Sequence, residues 1–144
     1  MRLLGPSAEA VRKVDFYESE AVTRRFQERT AEFARAGKPT KEIWVFHGTP
    51  DIANVAKICS EGFKVGGRNV KVAHGSANGA GVYTATGPGT PMSYSREARC
   101  VILCLGLPGK EGLQGESDSW AGNVPDWRIF AQGGQLWPRY VVHF

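Results

Sequence analysis

The stretch from Ile43 to Thr49 reads I-W-V-F-H-G-T, and it constrains the fold more than any other part of the chain. Its apolar run is β-branched and aromatic, which suits a buried, pleated strand. The run ends on a histidine, which donates and accepts hydrogen bonds, followed by a glycine, which has no side chain. A sheet that ends this way brings a polar group and bare backbone to one point. A second stretch, Gly79 to Thr86, reads G-A-G-V-Y-T-A-T: glycines that permit close approach, then a short strand carrying Tyr83. The two stretches in this order, with Tyr94 after them, form a stronger signal than His-Gly-Thr alone.

The rest of the chain supplies a frame for these strands. Its 144 residues suffice for one domain with a real core and are too few for two. Residues 1–8 contain Gly5-Pro6 and read as a flexible lead-in, and 9–144 read as a single domain. Val22, Phe26 and Phe33 recur near helical spacing within Phe16 to Ala36, an amphipathic helix ended by Gly37 and Pro39. Arg24 and Arg25 read as its solvated face rather than a nucleic-acid patch.

Pro50-Asp51 opens a second helix through Glu61, with Asp51 suited to capping and Gly62 closing it. Lys64 to Gly81 is a long glycine-rich loop of a kind that is usually functional. Gly81 to Thr86 reads as a strand, Met92 to Ala98 as a short helix carrying Tyr94, and Cys100 to Leu107 as a strand apolar on both faces. Gly109 to Pro125 reads as a loop. Trp127 to Ala131 and Arg139 to Phe144 read as strands joined by a Gly133-Gly134 turn. Strands and helices do not alternate, so a doubly wound sheet is excluded. The class is α+β: split, mixed or antiparallel β-sheets with flanking helices and long loops.

Composition narrows the chemistry. The net charge of +4 is spread along the chain, so it favours an anionic ligand as readily as nucleic acid. Cys59, Cys100 and Cys104 lack disulfide-scaffold spacing and read as buried, reduced thiols. No Cys/His set has zinc spacing, so no metal is expected. No run is apolar enough to span a membrane, and the N-terminus lacks a signal-peptide core, so an intracellular location, cytoplasm or nucleus, is the expectation.

The segments F-H-G-T-P-D-I-A-N-V-A-K-I-C-S-E-G-F, G-A-G-V-Y-T-A-T, P-M-S-Y, C-V-I-L-C-L-G-L and Q-L-W-P-R-Y-V-V-H-F together resemble the catalytic domain of the poly(ADP-ribose) polymerases. These are diphtheria-toxin-like ADP-ribosyltransferases, and the likeness is to the tankyrase-like and mono-ADP-ribosylating branch. It runs from Phe16 to Phe144. It implies the ADP-ribosyltransferase fold, NAD as co-substrate and release of nicotinamide. His47 would bond the adenosine ribose. Gly48 would offer its backbone to the nicotinamide amide, and Tyr83 and Tyr94 would sandwich the ring. Thr49, Asn54 and Lys64 complete the implied NAD contacts, and the loop from Lys64 to Gly81 would be a mobile lid over the adenosine.

Two departures from the family pattern stand out. The serine that usually precedes the second tyrosine is replaced by Pro91, flanked by Thr90 and Ser93; either hydroxyl substitutes, or the contact is lost. The family's catalytic triad is His-Tyr-Glu. Counting back from Gln135 puts Trp127 where the glutamate belongs, so the catalytic positions are His47, Tyr83 and Trp127. Asp126 lies one residue off, on the other strand face. Members without the glutamate are mono-transferases or inactive. The resemblance therefore implies an NAD-dependent mono-ADP-ribosyltransferase acting on a protein, or on nucleic-acid ends. The alternative is a catalytically inactive NAD- or ADP-ribose-binding module.

Overall fold

The fold was analysed in a computed structural model, which describes residues 2–65 and 78–144. Seven strands form one antiparallel sheet: β1 (Lys13–Phe16), β2 (Ile43–Gly48), β3 (Val82–Ala85), β4 (Cys100–Gly106), β5 (Ser119–Ala121), β6 (Trp127–Phe130) and β7 (Leu136–His143). Their order is β1-β7-β4-β2-β3-β6-β5. The helices are α1 (Glu20–Arg35), α2 (Ile52–Glu61) and α3 (Gly89–Tyr94). The class is α+β, as the sequence indicates.

The split expected of the sheet falls between β2 and β3. β2 pairs with β4 along its whole length, from Ile43↔Gly106 to Gly48↔Val101. It pairs with β3 only at Phe46↔Ala85. β3 and β6 then pair over four residues, Val82↔Phe130 to Ala85↔Trp127. The sheet is thus two paired panels joined by a narrow seam.

Strand alternation sorts the core onto two faces. On one face Val45, Ile102, Cys104 and Val82 pack with Val55, Cys59 and Phe63 from α2 and its exit. On the other, Phe46, Val101 and Leu103 pack with Leu4 and Met92. β4 is apolar on both sides because both sides are covered. Its two cysteines and Cys59 are free and buried, and burial pushes the Cys59 thiol up to about 11, aided by nearby Cys100.

Two segments differ from the sequence reading. Arg2–Ala10 forms kinked 3-10 turns, and Leu4 is buried in the second core face rather than belonging to a free lead-in. The first helix starts at Glu20, not Phe16. Ser19 caps it by accepting from the Val22 N–H at 3.4 Å, which frees Lys13–Phe16 to extend as β1 along β7. Val22, Phe26 and Phe33 are its buried stripe. Asp51 caps α2 by accepting from the Ala53 N–H at 2.9 Å. At the other end Gly62 turns out at φ 85, and Arg25 donates to the Glu61 carbonyl at 2.9 Å.

Candidate functional site

The seam organises the candidate site. Beyond the Phe46↔Ala85 pair the strands diverge, leaving the Tyr83 carbonyl without a β2 backbone partner. His47 takes it: Nδ1 lies 2.7 Å from that oxygen. A carbonyl only accepts, so Nδ1 carries the proton. Burial lowers the His47 pKa, which keeps the ring neutral. Nε2 is then a bare acceptor, held in orientation by an edge contact with Phe63 at 4.8 Å. This nitrogen is suited to receive a hydroxyl.

Gly48 is the next residue. A Cβ there would run into the Pro91 carbonyl and lie 2.8 Å from Ser95 Oγ. The glycine is therefore required by the seating of α3 against β2, whatever approaches its backbone. Thr49 follows, buried, with its N–H donating to Ser95 Oγ at 3.0 Å. Asn54, on the first turn of α2, donates to Thr49 Oγ1 at 3.4 Å. Ser95 was not singled out in the sequence reading. The family pattern directs attention to hydroxyls before the second tyrosine, and Ser95 comes directly after it.

Tyr83 is fixed at its far end. Its hydroxyl donates to the Gly79 carbonyl and accepts from the Asn78 N–H, both at 2.8 Å. Asn78 is itself a hub: its carbonyl accepts from Trp120 Nε1 at 2.6 Å, and its side-chain amide exchanges two bonds with Asn123. The end of the loop that returns into β3 is thus anchored to β5 and the turn before β6. Residues 66–77, most of the expected lid, lie outside the described residues. Lys64 is exposed just before them.

Trp127 pairs with Ala85, so its side chain and that of Tyr83 leave the same sheet face. The indole meets Tyr83 at 5.6 Å and 70° and Tyr94 at 6.1 Å and 46°. The three rings form one aromatic cluster on the α3 side, and Trp127 contacts both tyrosines. Tyr94, the last residue of α3, is 40% exposed. Asp126 is turned away: its carboxylate is 3.9 Å from where a Cβ would sit on Gly87, and its carbonyl accepts from the Thr86 N–H at 2.9 Å. The structure therefore brings together His47, Gly48, Thr49, Asn54, Tyr83, Tyr94 and Trp127. Thr90 and Ser93 stand one turn along α3, where the exposed Ser93 hydroxyl donates to the Thr90 carbonyl at 2.6 Å. Among the described residues no cluster of His, Cys, Asp and Glu has a metal-holding arrangement.

By strand alternation the His47 side chain leaves the opposite face from Tyr83 and Trp127. A ligand touching both His47 Nε2 and the tyrosine rings must reach both faces of the sheet beside the seam.

The family model of the poly(ADP-ribose) polymerase catalytic domain matches residues 7–113. No curated protein matches the chain. Among solved structures the fold is similar to the crystal structure of the TASOR pseudo-PARP domain, at 16% sequence identity and a TM-score of 0.69. That match covers 92% of this chain and 81% of the other.

Proposed function

Since the chain belongs to the poly(ADP-ribose) polymerase catalytic-domain family, we propose that it binds NAD through the seam and moves a single ADP-ribose unit to an acceptor that is already ionised. The observation that carries this reading is the fixed His47 at the end of β2 beside Gly48: its Nδ1 lies 2.7 Å from the Tyr83 carbonyl, which leaves Nε2 as the acceptor. In that pose Nε2 receives a hydroxyl of the adenosine ribose, and the tyrosine rings take the nicotinamide.

The transfer needs little chemistry from the protein. The acceptor oxygen attacks C1′ of the nicotinamide-side ribose. The glycosidic C–N bond breaks, and its electron pair neutralises the pyridinium nitrogen, so that nicotinamide leaves uncharged. Positioning supplies much of the rate. A sugar hydroxyl as acceptor needs a base, worth roughly 10²–10⁴-fold. The position that would hold that base is Trp127, and Asp126 points elsewhere. A carboxylate or phosphate acceptor, on a protein or a nucleic-acid end, has no such need.

The cluster formed by Trp127 with both tyrosines favours a second reading, an NAD- or ADP-ribose-binding module without turnover. One experiment separates the two. The protein is incubated with labelled NAD, alone and with acidic protein or 5′-phosphorylated nucleic-acid acceptors. Label transferred as a single unit, with nicotinamide released, supports the transferase. Saturable NAD binding with no nicotinamide release selects the binding module. A ladder of long chains overturns the mono-transferase reading.

A further inference from the structure

The short helix α3 carries Tyr94, and no side chain caps its first turn. Its far end is held more firmly. Ser95, the residue after Tyr94, is 2% exposed and bonded through every polar group of its backbone. Its N–H is shared between the Pro91 and Met92 carbonyls, both at 3.1 Å, and its carbonyl accepts from the Arg99 N–H at 2.7 Å. Its Oγ accepts from the Thr49 N–H at 3.0 Å. Thr49 is itself buried, so water does not stand ready to replace that bond.

The turn from Ser95 to Arg99 is also strained. Arg99 has a φ of 56°, the only positive value at a non-glycine residue among those described. Such a conformation persists only where the surroundings over-determine it, and it recurs beside ligand clamps. Here the Arg99 N–H that closes the turn is the one that fixes the Ser95 carbonyl.

The geometry points to Ser95 as a positioning residue for the planar carboxamide of nicotinamide. This rests on the reading above, in which the Gly48 backbone takes the amide and Tyr94 stacks on the ring. Gly48 directly precedes Thr49, and Tyr94 directly precedes Ser95. The 3.0 Å bond therefore joins the neighbours of the two clamp residues and sets the spacing between them. There is little slack: a Cβ on Gly48 would already lie 2.8 Å from Ser95 Oγ. Ser95 acts through these neighbours. His47 is held separately, by the Tyr83 carbonyl, so the adenosine half of the site does not depend on the Ser95 hydroxyl.

The test is calorimetric titration of the protein with 3-aminobenzamide, which carries the carboxamide, and with ADP-ribose, which lacks it. Ser95→Ala should weaken 3-aminobenzamide at least about fivefold, because it leaves the buried Thr49 N–H unpaired. ADP-ribose binding should change by less than about twofold. Ser95→Cys keeps a weaker acceptor in the same place and should fall between alanine and the parent for 3-aminobenzamide alone. If the alanine variant does not fold, the same split is read in the cysteine variant. Equal weakening of both probes would mean that Ser95 only stabilises the fold, and unchanged 3-aminobenzamide binding would mean that it does not set the spacing; either overturns the assignment. A parent protein that binds neither probe would instead overturn the NAD reading, and the role of Ser95 with it.

Discussion

Replacing Trp127 with alanine should move stability and ligand affinity in opposite directions. The indole contacts Tyr83 at 5.6 Å and Tyr94 at 6.1 Å. Aromatic pairs contribute about 0.5–1.5 kcal/mol each beyond burial, so the two together are worth about 1–3 kcal/mol. The ring is only half-buried, which keeps the loss below the roughly 3–5 kcal/mol of a fully buried tryptophan. A loss of about 2 kcal/mol lowers the melting temperature by about 8 °C in a domain of this size. A planar amide such as 3-aminobenzamide, stacking between the tyrosines, must first displace the indole. In the variant that cost disappears, and 1–3 kcal/mol corresponds to about 5- to 150-fold tighter binding. Calorimetric titration and thermal unfolding of the same preparation read both quantities. A double-mutant cycle with Tyr94→Ala should return a coupling of about 1 kcal/mol between positions 94 and 127. Weaker ligand binding in the alanine variant would make Trp127 part of the clamp and refute displacement. Zero coupling would show that the ring contact carries no energy.

Three further outcomes are expected. Gly48→Ala should cost about 3 kcal/mol or unfold the protein, because the Cβ meets the Pro91 carbonyl; a variant as stable as the parent in denaturant unfolding would mean that α3 is not seated as described. Gln135→Leu removes donation to the Leu107 and Asp118 carbonyls at 3.0 and 2.8 Å, and acceptance from the Gln132 N–H at 2.9 Å. With buried partners left unpaired it should destabilise by about 3 kcal/mol, and urea melts showing less than about 1 kcal/mol would count against that role. Burial holds the folded His47 pKa below its ordinary 6.5, so the unfolded chain binds the proton more readily. The His47 contribution to stability is full above pH 6.5 and is lost as pH falls from there toward the folded value. A His47→Gln variant should lack that slope in melts taken across the range, and an identical slope would assign it to another group.

Much of the frame was legible because local signals agreed with tertiary demand. Asp51 and Gly62 bounded α2 in the sequence and cap it in the fold. Cys100 to Leu107 read as doubly buried because both faces of β4 are packed. β1 and β5 were hidden for different reasons. Lys13–Phe16 is a short edge strand abutting a helix, and Phe16 fits the helical stripe until Ser19 is recognised as the cap. Ser119–Ala121 is three residues long within a polar, glycine-rich stretch, and only its pairing with β6 makes it a strand. At the site, the ordered motifs pointed to His47, Gly48 and the tyrosines. Single-sequence spacing carried no trace of the Ser95 hydroxyl behind Gly48, of the Asn78 hub behind Tyr83, or of the cluster Trp127 makes with both tyrosines, since each contact joins distant segments.

The seam between β2 and β3 has a mechanical consequence. The two strands meet at one backbone pair, Phe46↔Ala85, and one side-chain bond, His47 to the Tyr83 carbonyl. A molecule held by Gly48 on one panel and by Tyr83 on the other would act as a further stitch, damping the relative twist of the panels. The amides of β3 should then exchange more slowly with solvent when the seam is filled, although no strand has gained a residue.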